Sequence, residues 1–266
     1  MLSVNGTDLF YERRGKGEPL LLIQGMAGHS LHWGEAFLCE LERDFELILY
    51  DHRGLGRSAS HEGEFTIADL AGDAVALLSG LEIDSAHALG ISMGGMIAQE
   101  LALGHPERVR TLTLGATYCG GAGARFTDEG VVNALAGAIL SGDPVRRVRT
   151  GWDFNVSGPF ANAAGNFERF TEVAELYPVD LPMIFSQLQA IMGHDTSARL
   201  PEVAVPTLVV HGTDDQMLPA VNGEMVAGLI PGARLELLDG VGHLFFWERP
   251  ERAAELIREH AAAART

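Results

Sequence analysis

The sequence predicts an α/β fold in which a mostly parallel sheet is covered by helices on both faces. Short continuous apolar runs recur along the chain and suit strands buried on both sides. Stretches with helical apolar spacing separate them, and the strict alternation of the two is the pattern of crossover-connected parallel strands. A third observation is a block that breaks the rhythm, residues 118–200, which reads as a helical insertion between two strands of the sheet.

The chain opens on a hairpin signal. Asn5-Gly6 is a two-residue turn between Leu2-Ser3-Val4 and Asp8-Leu9-Phe10-Tyr11. Gly15-Lys16-Gly17-Glu18-Pro19 then interrupts the chain before the first buried run, Leu20-Leu21-Leu22-Ile23. Further runs follow at Phe45–Tyr50, 86–89, 111–114, 207–210 and Arg234–Leu238. Helical spacing is clearest over 67–78, 93–103 and 250–264. Within the 118–200 block, helices are expected over 130–140, 169–176 and Leu181–Met192, separated by Gly, Pro and Asn. That block also concentrates Trp152, Phe154, Phe160, Phe167, Phe170, Tyr177 and several methionines; most are expected to form its own core and a minority to face a cleft below.

Composition narrows the function classes. At 266 residues, 47% hydrophobic and 21% charged, the chain matches a single large soluble domain or one with an insertion. A formal net charge of −17 repels phosphate backbones, so nucleic-acid binding is not expected. It also disfavours strongly anionic substrates unless a local basic pocket overrides the global field. Cys39 and Cys119 are neither a disulfide framework nor a metal-spaced pair. With no basic-then-apolar leader visible and no apolar run near 18 residues, a cytoplasmic protein without a membrane span is the expectation. No metal constellation stands out, and no Gly-x-Gly-x-x-Gly follows the first strand, so neither a metal nor a dinucleotide cofactor is expected.

The chemistry-bearing segment is Gly90-Ile91-Ser92-Met93-Gly94-Gly95, at the junction of an expected strand and an expected helix. A serine between glycines there is a candidate nucleophile elbow. The competing reading is a loop glycine pair beside a helix-capping serine. A serine hydroxyl needs a general base, and the base needs an orienting group. Two later strand ends supply candidates: His211-Gly212-Thr213-Asp214-Asp215, and Gly240-Val241-Gly242-His243. In open α/β sheets, ligand sites form beyond the carboxyl ends of the strands. Ser92, the aspartate pair and His243 fall there in the chain order Ser, Asp, His. The backbone amide of Met93, at a helix N-terminus, is a candidate oxyanion donor.

With these residues in view, the chain resembles α/β-hydrolase-fold serine hydrolases over about residues 2–264. The matching pieces are Gly90 to Gly94, Asp51-His52-Arg53-Gly54-Leu55-Gly56-Arg57-Ser58, His211 to Pro219, and Gly242-His243 before an amphipathic terminal helix. Within the family, the elbow and the 51–58 loop look most like 3-oxoadipate enol-lactonases and small bacterial carboxylesterases. The resemblance implies a mostly parallel eight-stranded sheet, with residues 1–117 and 201–266 as core and 118–200 as a helical cap. It implies Ser92, Asp215 and His243 as the catalytic set. Asp215 is preferred to Asp214 because the family's acid follows the glycine by three residues and precedes the proline by four. The second oxyanion donor it implies is the amide of Met26, in the loop Gln24-Gly25-Met26-Ala27-Gly28; here Gln24 stands where a histidine is commoner. Asp51 and Arg53 are implied as buttresses. A serine rather than an aspartate nucleophile argues against dehalogenase and epoxide-hydrolase chemistry. The expected activity is hydrolysis of a small-molecule carboxylic ester or lactone. Thioesterase, perhydrolase and C–C hydrolase activities share the same residues, and a non-catalytic ligand-binding protein is the reading from another class. The oligomeric state is open, a homodimer included.

Overall fold

In the computed structural model, residues 1–264 are described. The hairpin forms as expected: β1 (Leu2–Val4) and β2 (Thr7–Leu9) pair antiparallel around Asn5 and Gly6, both at positive φ. The main sheet comprises β3 (Tyr11–Gly15), β4 (Glu18–Ile23), β5 (Phe45–Tyr50), β6 (Ala86–Ile91), β7 (Val109–Gly115), β8 (Thr207–Gly212) and β9 (Arg234–Leu238). Its order is β3-β5-β4-β6-β7-β8-β9, and every pairing is parallel except β3 with β5.

The sheet therefore has seven strands among the described residues, not the eight the resemblance implied. The physical reason lies in the hairpin's outer edge. The Asp8 carbonyl accepts from the Ala59 amide, and the Phe10 amide donates to Ser58 Oγ, so the 51–59 loop takes the groups that would extend the sheet. Strand β3 itself is longer than the sequence suggested. Its residues Glu12, Arg13 and Arg14 carry charge along an exposed edge, a device that discourages further pairing and erases the apolar signal of a strand.

The helices are α1 (Glu35–Leu41), α2 (Ile67–Gly80), α3 (Met93–Gly104), α4 (Glu129–Leu140), α5 (Pro144–Asn155), α6 (Gly158–Ala161), α7 (Asn166–Ala174), α8 (Leu181–Met192), α9 (Val221–Leu229), α10 (Phe245–Glu248) and α11 (Pro250–Ala263). One apolar layer joins α2, α3 and α9 to one sheet face through residues such as Leu70, Ile97 and Val226; the opposite layer joins α1, α10 and α11 through Phe37, Phe246 and Leu256. Strands β6 and β8 are buried at every position, as two-sided coverage requires. Helix α2 starts at a reciprocal cap: Thr66 Oγ1 accepts from the Asp69 amide, and the Asp69 carboxylate accepts from the Thr66 amide.

Between β7 and β8 the chain runs through α4 to α8 with no strand among the described residues. Trp152, Val156 and Ala161 form a small core there, with Phe160, Phe167 and Phe170 against it. Helix α5 was not visible as a periodic pattern, although Asp143-Pro144 marks its start: the Asp143 side chain accepts from the amides of Val145 and Arg146. Cys119 is buried, Cys39 is half-buried on α1, and both are free thiols. No helix among the described residues is long and apolar enough to cross a membrane.

Candidate active site

The sheet order places a crevice at the C-terminal ends of β4 and β6. From β4 the chain turns to β5 on one side and later crosses to β6 on the other, so the loops after adjacent strands leave in opposite directions. Ile23 pairs with Gly90 at that edge. Beyond them lie the 24–28 loop and Ser92.

Ser92 sits at φ 56° and ψ −122°, a strained conformation for a residue with a Cβ. It is held there from both sides. Its amide donates to the Gly115 carbonyl at 2.9 Å, and its carbonyl accepts from Thr117 Oγ1 at 2.7 Å. The flanking glycines are required by contact. A Cβ on Gly90 would stand 2.1 Å from the Gly94 carbonyl oxygen, and one on Gly94 would stand 2.0 Å from the Ile23 carbonyl oxygen. The turn thus projects a half-buried serine between two fully buried neighbours, Ile91 and Met93. Met93 is the first residue of α3, so its amide lies at the positive end of that helix.

Asp215 and His243 are brought together at the ends of β8 and β9. His243 Nδ1 is 2.7 Å from Asp215 Oδ2. Facing a carboxylate, Nδ1 carries the hydrogen, which leaves Nε2 with the free lone pair. The other carboxylate oxygen, Oδ1, accepts from the amides of Met217 and Leu218 at 2.8 and 2.9 Å. Burial opposes ionisation of Asp215, but its electrostatic interactions and hydrogen bonds with the His243 and His211 rings outweigh it and hold its pKa down at about 2. Asp214, the alternative acid, is exposed; its amide donates to the Val241 carbonyl at 2.9 Å, and its carboxylate accepts from the Thr213 hydroxyl at 3.4 Å.

Two contributors were not legible beforehand. His211, at the end of β8, lies on the far side of Asp215 from His243. Its Nε2 is 3.0 Å from Oδ2 and 2.8 Å from the Leu218 carbonyl. A carbonyl can only accept, so His211 is an Nε2–H donor fixed toward the carboxylate. The second is Glu248, buried on α10. Its carboxylate accepts from the Gly242 amide and from both the amide and hydroxyl of Ser157, tying the His243 loop to the end of α5. The only advance signal for His211 is its i,i+4 spacing to Asp215; Glu248 has none, since the segment it ties to the His243 loop, Ser157, is 91 residues away.

Ser92 and His243 line one cavity of about 310 Å³, lined also by residues of α4, α5, α7 and α8. Gln24, Gly25 and Met26 form part of its wall, and a Cβ on Gly25 would lie 3.1 Å from Ser92 Cβ. In the place of the commoner histidine, Gln24 folds onto its own loop: Oε1 accepts from the Gly25 amide at 2.8 Å. The Ala27 amide donates to Gln187 Oε1 on α8 at 2.9 Å, so the helical segment helps hold this loop. Of the block's aromatics, Phe170 and Tyr177 reach the cavity, whereas Trp152 is wholly buried among neighbours.

The 51–58 loop stands behind the site. Asp51 accepts from the amides of Ser30 and Arg57, His52 Nε2 is 2.9 Å from the Gln24 carbonyl, and Arg53 makes a two-pronged pair with Asp73. None of Asp51, His52 or Arg53 lines the cavity. Among the described residues no group of three or more His, Cys, Asp or Glu side chains is arranged to hold a metal ion.

Comparison with known proteins agrees with this architecture. The sequence profile of the alpha/beta hydrolase fold matches residues 18–250. The chain is 31% identical over 252 residues to the "Putative carbamate hydrolase RutD" of Azorhizobium caulinodans, covering 94% of this chain and 93% of that one. Among solved structures, the enol-lactonase from Burkholderia xenovorans LB400 superposes with a TM-score of 0.84 at 26% identity, covering 97% of this chain and 98% of the other. The esterase RhEst1 from Rhodococcus sp. ECU1013 gives 0.85 at 26% identity, covering 99% and 98%. The chain belongs to the α/β-hydrolase-fold family.

Proposed function

We propose that the protein is a serine hydrolase of small-molecule carboxylic esters or lactones, working through Ser92, His243 and Asp215 and an acyl-enzyme intermediate. The observation that carries this reading is the pairing of a serine at positive φ with a histidine whose Nδ1 is occupied by a buried carboxylate, both on the wall of one cavity. In the first half-reaction, Nε2 of His243 takes the Ser92 proton as Oγ attacks the carbonyl carbon. The amides of Met93 and Met26 hold the developing oxyanion. The resulting imidazolium is stabilised by Asp215, and it then protonates the leaving alcohol. Water enters, is deprotonated by His243, and releases the acid. For a lactone, the leaving alkoxide stays attached to the acyl chain, and one product results.

Residues 118–200 act in this account as a cap that excludes bulk water and supplies the apolar wall. The enol-lactonase and esterase likenesses favour an oxygen ester. A carbamate is the second reading, favoured by the carbamate-hydrolase relative; its carbonyl would meet the same serine. Kinetics with p-nitrophenyl acetate and butyrate, a panel of lactones, and an aryl carbamate test both readings. Faster turnover of esters or lactones is the expected outcome, and a carbamate preferred by more than tenfold in kcat/KM would replace the first reading by the second.

A further inference from the structure

We propose that Arg147 recognises a carboxylate on the substrate, so that the preferred ester or lactone carries one negative charge away from the scissile bond. The inference rests on the hydrolase reading and adds the substrate class to it. Among the described residues lining the cavity, Arg147 is the one formally charged side chain apart from the histidines; no aspartate or glutamate lines it. Around it the wall is apolar, with Leu135, Ile139, Val148 and Ile184.

Among the described residues three arginines, Arg125, Arg146 and Arg147, have a guanidinium without a partner, and of these Arg147 alone lines the cavity. Acidic residues outnumber basic ones by 36 to 19, so acidic partners abound. Arg149, on the same helix, pairs with Asp153 and lies over the Phe167 ring. Arg53 and Arg57 are paired with Asp73 and Asp51. Arg147 is half-buried, and its guanidinium has no hydrogen-bond or ion-pair partner among the described residues. A cation left unpaired against apolar walls lacks the compensation that such groups normally find, and a ligand anion supplies it.

The helix presents the group toward open space. Arg147, Gly151 and Asn155 recur at four-residue spacing and so share one face of α5, and all three line the cavity. Gly151 leaves room on that face: nothing lies within 4 Å of where its Cβ would stand. The same face is anchored to the His243 loop, where the Leu244 amide donates to the Asn155 carbonyl at 2.8 Å. Arg147 and the proposed base are thereby held in one frame. A planar guanidinium suits a carboxylate, which it can grip with two parallel N–H donors. A dianion such as a phosphate monoester would need a second cation here, against a net charge of −17.

The test compares kcat/KM for p-nitrophenyl monoesters of linear dicarboxylic acids, from succinate to suberate, with the p-nitrophenyl esters of fatty acids of equal length. The wild-type enzyme is expected to favour the carboxylate member at one or more lengths. Arg147→Met is expected to lower that anionic-to-neutral ratio by about ten- to a hundredfold, and Arg147→Lys, which keeps the charge, by less. Arg146→Met, on the exposed side of the same helix, leaves the ratio unmoved and separates a local contact from the field of the whole protein. No preference for the carboxylate member at any length, or a preference that survives Arg147→Met, overturns the proposal and leaves the hydrolase reading standing. Turnover of neither member overturns both.

Discussion

Asp215 serves two histidines and two backbone amides with a single carboxylate. The amides hold Oδ1 and orient the group, so Oδ2 is left to the rings. This arrangement makes the result of Asp215→Asn specific. The asparagine oxygen keeps the two amide donors, and its NH2 group then faces His243 Nδ1. His211 cannot relieve the conflict, because the Leu218 carbonyl fixes its Nε2 as a donor. His243 must therefore accept at Nδ1 and carry its hydrogen on Nε2, which removes the lone pair that would take the serine proton. The expected loss in kcat is about 10⁴-fold with a folded protein, the scale seen when a triad histidine is left in the wrong tautomer. A loss below tenfold by steady-state kinetics contradicts the assigned role. Glu248 acts at the same scale but through backbone, keeping the loop of His243 against Ser157.

The strand–turn–helix unit β6–Ser92–α3 depends on contact distances that leave no room for side chains. Gly94→Ala puts a methyl group 2.0 Å from the Ile23 carbonyl oxygen, on the neighbouring strand β4. Either β4 or α3 must move, and the 24–28 loop with it. The expected outcome is destabilisation by about 1–3 kcal/mol in urea unfolding, together with a fall in esterase activity. Wild-type stability and activity in this variant would mean the turn is looser than described. Elements of this kind were legible in the sequence because their physics is local. Leu20-Leu21-Leu22-Ile23 and Phe45–Tyr50 advertise two-sided burial, and glycines around Ser92 advertise the turn. Strand β3 was not legible, since Glu12, Arg13 and Arg14 are set by its place at the sheet edge. Helix α5 was hidden because Arg146, Arg147 and Arg149 break its apolar spacing, though Asp143-Pro144 announced it. The His211–Asp215 contact is local and shows in the sequence only as an i,i+4 spacing, whereas the Glu248 clamp joins α10 to Ser157, 91 residues away, and depends on how loops meet after folding.

Most of the chain's histidines are buried. Burial lowers the pKa of His29, His32, His52, His61, His87, His194 and His260, to about 4 for His87 and His194. In the unfolded chain the same groups bind protons below about pH 6.5. Their contribution to stability is therefore complete above that value and is lost as the pH falls toward 4, because only the unfolded state gains the protons. Between pH 7 and pH 5 the unfolding free energy is expected to drop by about 2 kcal/mol; the unscreened figure for His87 and His194 alone is nearer 4. A stability profile flat over that interval, measured by urea titration, would contradict the burial of these groups. The nucleophile is identified most directly by the intact mass of the full chain after reaction with a fluorophosphonate, followed by peptide mapping. One adduct is expected, on Ser92, absent from Ser92→Ala and formed in parallel with loss of ester hydrolysis. Labelling of another residue, or full hydrolytic activity in Ser92→Ala, would contradict it.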